Sequence, residues 1–148
     1  MISPISIRAP IWRPISLLLL TMAPTVAQAD ETVPAPTPLE CAAYYYLTEV
    51  SFLLAPMAAA HGEEIVGPAF GWAQKLIQSS SKEDQKAAVA KVQRKMHELT
   101  AQPHPAGDVA AMLQPVASYY DPLCHTLAGQ PPLDLGAMLA RAKQLTAK

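Results

Sequence analysis

Cys41 and Cys124 are the only two cysteines in the 148-residue chain, and they stand 83 positions apart. Joined, they would tie the start of the apolar sequence to a point near its end, so that every element between them folds inside one closed loop. In the chain-entropy description a loop of this length is worth about 4.5 kcal/mol, a large share of the roughly 5 to 15 kcal/mol that holds an ordinary domain together. Whether the bond forms depends on the compartment, because disulfides persist in oxidising surroundings and are rare in reducing ones.

The first residues speak to the compartment. Arg8 and Arg13 precede a short apolar run from Ile15 to Ala23, and Ala27-Gln28-Ala29 places small side chains where signal peptidase reads them. This pattern predicts a signal peptide over residues 1–29, cut before Asp30, and a mature protein in the periplasm or secreted. The run between Arg13 and Pro24 falls short of the about 20 apolar residues that a membrane-spanning helix needs. In an oxidising compartment Cys41 and Cys124 are expected to pair. Their separation excludes a Cys-x-x-Cys redox site, and Cys124-His125 lacks the first cysteine of a haem-attachment motif, Asp121 standing in its place.

Removing 29 of the 148 residues leaves 119, enough for one hydrophobic core. Two of the eleven basic residues, Arg8 and Arg13, leave with the signal, so nine basic residues face twelve acidic ones and the formal net charge is −3. Such a balance gives no support to nucleic-acid binding.

Residues 30–38, with Pro34, Pro36 and Pro38 and few large apolar side chains, read as a Pro-rich flexible leader. A single helical domain is expected over 39–148. From Leu39 to Leu54 the sequence is apolar nearly all round, as in a central helix touched on several sides, and Pro56 should kink or end it. Gly62, Gly67 and Gly71 mark a looser region, with a short helix expected from about Ile65 to Gln78. Ser81 is placed to cap the next helix, whose stripe is Val89, Val92, Met96 and Leu99. Asp108 caps another, in which Pro115 predicts a bend and Cys124 sits near the end. Asp134 caps a last one carrying Leu135, Met138, Leu139 and Leu145. The expected fold is all-α, a small irregular bundle of four or five helices stapled by Cys41–Cys124, with the first core helix and the cysteine-bearing helix antiparallel.

Tyr44, Tyr45, Tyr46, Tyr119 and Tyr120 are the most distinctive cluster. Neighbouring helical residues point about 100 degrees apart, so Tyr44, Tyr45 and Tyr46 cannot share one narrow face. They either fill the core near the disulfide or form an aromatic surface for a partner. Lys82, Lys86, Lys91, Arg94 and Lys95 make a basic face, suited to an acidic partner or to peripheral membrane contact, with Arg94 and Glu98 spaced for an ion pair. His61, beside Glu63 and Glu64, and His125 are the histidines closest to a ligand set, yet no zinc spacing is present and no metal or cofactor is expected. Glu49, in the most apolar helix, needs a partner or an exposed face. With no catalytic motif and 51% hydrophobic residues, the favoured reading is a non-enzymatic, exported binding or chaperone-like protein. It would act through an apolar or aromatic groove on an envelope protein or peptide. The alternatives are a small metal-dependent or acid–base enzyme using His125, His61 or Glu49, and a structural envelope component.

Overall fold

The computed structural model describes residues 34–53 and 55–147; the expected signal peptide and the first part of the leader lie outside the described residues. The chain forms α1 (Pro38–Phe52), α2 (Ala55–Ile65), α3 (Pro68–Gln78), α4 (Lys82–Thr100), α5 (Val109–Ala128) and α6 (Leu135–Thr146). No strand occurs among the described residues. The fold is therefore all-α, with six helices among the described residues where four or five were expected.

The count differs because the glycine-rich stretch is a helical hairpin. Gly67, at φ +88°, makes the break, and Pro68, which has no amide proton to leave unsatisfied, opens α3. Gly62 and Gly71 instead lie within α2 and α3. A methyl group at Gly62 would overlap the buried Phe70 ring, so this glycine is what lets α2 approach α3 so closely. Helix α3 thus begins three residues later than the Ile65 start expected from the sequence, and α2 occupies residues assigned to no element.

α1 is the axis of the bundle and touches all five other helices. From Glu40 to Glu49 only Tyr46 is exposed; every other residue is buried. Its start is fixed more tightly than the leader reading allowed. The Glu40 amide donates to Thr37 Oγ1 at 3.2 Å and the Thr37 amide donates to Glu40 Oε2 at 3.1 Å, a reciprocal capping box with Pro38 in the first turn. Glu40 Oε1 also accepts from Lys91 Nζ at 2.6 Å, fastening the same end to α4.

Cys41 and Cys124 form a buried disulfide, their Cα atoms 5.3 Å apart. One turn inward, Tyr44 stacks on Tyr120 with ring centroids 5.1 Å apart, and further along Leu47 and Val50 share a surface groove with Met112 and Leu113. As numbers rise on α1 they fall on α5, so the two helices run antiparallel.

The remaining helix ends follow the sequence reading. Ser81 Oγ accepts from the Asp84 amide, Asp108 Oδ1 from the Ala111 amide, and Asp134 Oδ1 from the Ala137 amide. At Ser81 the cap is one-sided, without the reciprocal bond of a capping box. α5 continues through Pro115 and Pro122 and ends at Gly129, whose φ of +65° allows the Gln130 amide to reach the His125 carbonyl and the Gly129 amide that of Thr126. Between α4 and α5, residues 101–107 are all exposed. No helix among the described residues is long and apolar enough to cross a membrane.

Gly62→Ala tests the hairpin. Helix propensity alone would stabilise the variant by about 1 kcal/mol, but overpacking a buried ring costs about 1 to 3 kcal/mol. A net loss of stability is expected in denaturant unfolding, with an unchanged helical circular-dichroism signal before the transition.

Candidate functional site

The five tyrosines separate into three buried rings, Tyr44, Tyr45 and Tyr120, a half-buried Tyr119 packed against them, and the exposed Tyr46. Tyr44 and Tyr45 are fully buried and Tyr120 nearly so. Tyr44 lies 5.1 Å from both Tyr45 and Tyr120, Tyr119 meets Tyr120 edge-on at 4.8 Å, and Tyr45 meets Trp72 of α3 edge-on at 6.2 Å. This aromatic stack packs one turn in from the disulfide and joins α1, α3 and α5. Burial, reinforced by nearby Asp121, holds the Tyr44 and Tyr45 phenols well above their ordinary range; burial does the same for Tyr120, with Tyr119 next in effect. These rings fill the core, and Tyr44, Tyr45 and Tyr120 present no surface to a partner.

Tyr46 points the other way. It is 36% exposed, lies over Phe70 with centroids 6.5 Å apart, and lines an open groove of 520 Å³ between α1, α3 and α4. Leu39, Ala43 and Tyr46 come from α1 at steps of four and three, Ile77 from α3, and Ala88 and Val89 from α4. Gln74, Gln78, Gln85, Lys82 and Lys86 supply the polar lining. The Gln85 side-chain amide donates to the Ile77 carbonyl at 2.6 Å and to the Ser80 carbonyl at 2.9 Å, bracing one wall across the α3–α4 turn. Of the groove residues, sequence reasoning singled out Tyr46, Lys82 and Lys86. Leu39, Ala43 and Tyr46 form a regular stripe, but it is hidden in a helix apolar on every side.

The basic face is divided by its neighbours. Lys82 and Lys86 line the groove. Lys91 is engaged by Glu40, and Lys95 both pairs with Glu98 at 3.1 Å and lies 4.9 Å from the centre of the Tyr119 ring. Glu98 thus pairs three residues back with Lys95, where the sequence pointed to Arg94; Arg94 is exposed.

The histidines do not converge. His61 Nδ1 is 2.8 Å from Glu64 Oε1, and His125 Nδ1 lies 3.2 Å from the Gln130 carbonyl oxygen at the end of α5. No three of His, Cys, Asp and Glu are grouped to hold a metal ion among the described residues.

Besides Glu40, held by Thr37 and Lys91, Asp121 and Glu49 are buried acids. Asp121 Oδ2 accepts from the Leu133 amide at 2.7 Å, anchoring the turn before α6, while Oδ1 has no hydrogen-bond partner among the described residues. Burial raises its pKa, opposed by the Leu133 hydrogen bond and by His125. Glu49 is 0% exposed, neither of its carboxylate oxygens has a hydrogen-bond partner among the described residues, and it does not line the groove between α1, α3 and α4. Burial alone pushes its pKa from 4.5 to about 7.

Because the folded state holds the proton of Glu49 more tightly than the unfolded chain does, its contribution is fully present at acid pH and is lost as pH rises between 4.5 and about 7. The loss is on the order of 3 kcal/mol. Glu49→Gln, which removes the charge and keeps the shape, is expected to be more stable than the parent at pH 8 and to flatten this fall, as read by unfolding midpoints across the pH range. A parent and variant with parallel profiles would refute it. In comparisons across known proteins, no family model, curated protein or solved structure matches this chain.

Proposed function

We propose that this protein is an exported binding or chaperone-like protein that captures an apolar segment of an envelope protein or peptide in the groove between α1, α3 and α4. The observation that carries the reading is the groove itself: an aliphatic floor beside an exposed tyrosine, edged by glutamines and lysines. Apolar surfaces with a few placed polar groups are the usual makeup of binding sites, and tyrosine is enriched where proteins meet. The aromatic contact that the sequence suggested is assigned to Tyr46, with Tyr44, Tyr45 and Tyr120 as the packed support beneath it.

Export is supported by the basic, apolar and small-residue order of residues 1–29, and by a fold whose only two cysteines are bonded to each other. An intramolecular staple of this kind suits a compartment in which thiols are oxidised.

Tyr46→Ala is the direct test. It removes a half-exposed ring without opening the buried aromatic stack, so the helical signal and the disulfide should remain. Capture of partners by crosslinking in the native envelope is expected to weaken about tenfold, the effect of losing about 1.4 kcal/mol of contact. Undiminished capture by a folded Tyr46→Ala protein would assign binding elsewhere, and N-terminal sequencing that begins other than at Asp30 would revise the cut.

A further inference from the structure

We infer that the segment captured by this groove is an acidic amphipathic helix, its apolar face lying on Leu39, Tyr46 and Val89 and its flanking carboxylates meeting Lys82 and Lys86. The inference rests on the groove reading above and adds to it the charge and the conformation of the occupant.

Charge comes first. The only ionisable side chains of fixed charge along the groove are Lys82 and Lys86, both exposed. Neither has an ion-pair partner among the described residues, whereas Lys91 and Lys95 on the same helix are held by Glu40 and Glu98. In a chain with twelve acidic residues against eleven basic ones, a groove edged by cations alone is a local segregation that favours a negative partner. Lys82 also opens α4, where the helix dipole adds positive potential that Glu83 and Asp84 of the same turn offset in part.

Conformation follows from the walls. An extended peptide gains affinity by adding its backbone to a sheet edge, and no strand is present among the described residues. Of the three glutamines along the groove, Gln85 has its amide committed to the Ile77 and Ser80 carbonyls, and Gln74 and Gln78 are left as side-chain contacts, too few to pair with a continuous extended backbone. A helix satisfies its own backbone and needs only side-chain contacts. With a diameter of about 10 to 12 Å, it would seat one face in a groove of 520 Å³ and leave the rest outside. Lys82 and Lys86 are four residues apart, about one turn and roughly 6 Å along the axis, which matches carboxylates spaced three or four apart on a partner helix.

The test uses the oxidised protein and fluorescence anisotropy with labelled peptides of about 18 residues, long enough to form helix in water. Each peptide carries one leucine face flanked by glutamates, or by glutamines or lysines in the same positions. The glutamate peptide is expected to bind about tenfold more tightly than the glutamine peptide, with the difference shrinking as salt rises. The Lys82→Glu/Lys86→Glu double variant should reverse the preference toward the lysine peptide, and Lys82→Gln/Lys86→Gln should abolish it. Circular dichroism verifies that each variant is folded. Equal binding of the glutamate and glutamine peptides, both weakened by Tyr46→Ala, would overturn the charge selection and leave the groove reading standing. Binding of none of the peptides would overturn both. Lys82- and Lys86-dependent binding to phosphatidylglycerol vesicles without peptide binding would assign the groove to a lipid surface, and a dimer dissolved by Tyr46→Ala would assign it to a second copy; either result overturns the proposal.

Discussion

The bond between Cys41 and Cys124 sits at the end of an antiparallel pair whose register it sets. With that end fixed, Tyr44 falls on Tyr120, Leu47 falls near Leu113, and α1 becomes the helix around which the others are arranged. The Thr37–Glu40 capping box and the Lys91–Glu40 ion pair act at the same end. One end of α1 is thereby held by a covalent bond, a backbone cap and a charge pair. Toward its other end lies the buried carboxylate of Glu49, without a hydrogen-bond partner among the described residues. The interior is consequently uneven, tightly specified near the cysteines and electrostatically costly toward the end of the helix.

What the sequence revealed depended on whether the cause was local. Ser81, Asp108 and Asp134 were legible as caps because a cap is a contact between residues three apart. Thr37 was obscured by the prolines on either side of it, which resemble a spacer until Glu40 is seen to close the box. α2 was missed because Gly62 looks like a breaker in isolation; the reason for it is Phe70, on another helix. Likewise Lys95 prevails over Arg94 for Glu98 because Lys95 is also drawn to the Tyr119 ring, a contact with α5 that no spacing rule contains.

The tyrosines illustrate the same limit at the candidate site. Helical geometry requires adjacent Tyr44, Tyr45 and Tyr46 to diverge, but not which of them turns outward. An amphipathic helix would answer through its polar stripe. α1 has almost none, so the answer comes from its neighbours: α3 and α5 cover Tyr44 and Tyr45, while Tyr46 meets only Phe70 among the aromatic rings and stays open to the gap between α3 and α4. Core and groove are therefore opposite sides of one helix. Any change that rotates α1 to alter the groove also disturbs the aromatic stack, which couples the shape of the groove to stability more closely than in a groove walled by loops.

The exposed stretch 101–107, between α4 and α5, lies within the segment closed by the disulfide. Such polar loop tips are where proteases cut first. A single cut there would separate α1 to α4 from α5 and α6 along the chain but not in space, since Cys41 belongs to one fragment and Cys124 to the other. The nicked molecule would remain one covalent body with its interior still packed, and would come apart only when a reductant reached a bond that is itself buried. The staple is thus also a tolerance for damage: the polypeptide can lose its continuity without the protein losing its parts.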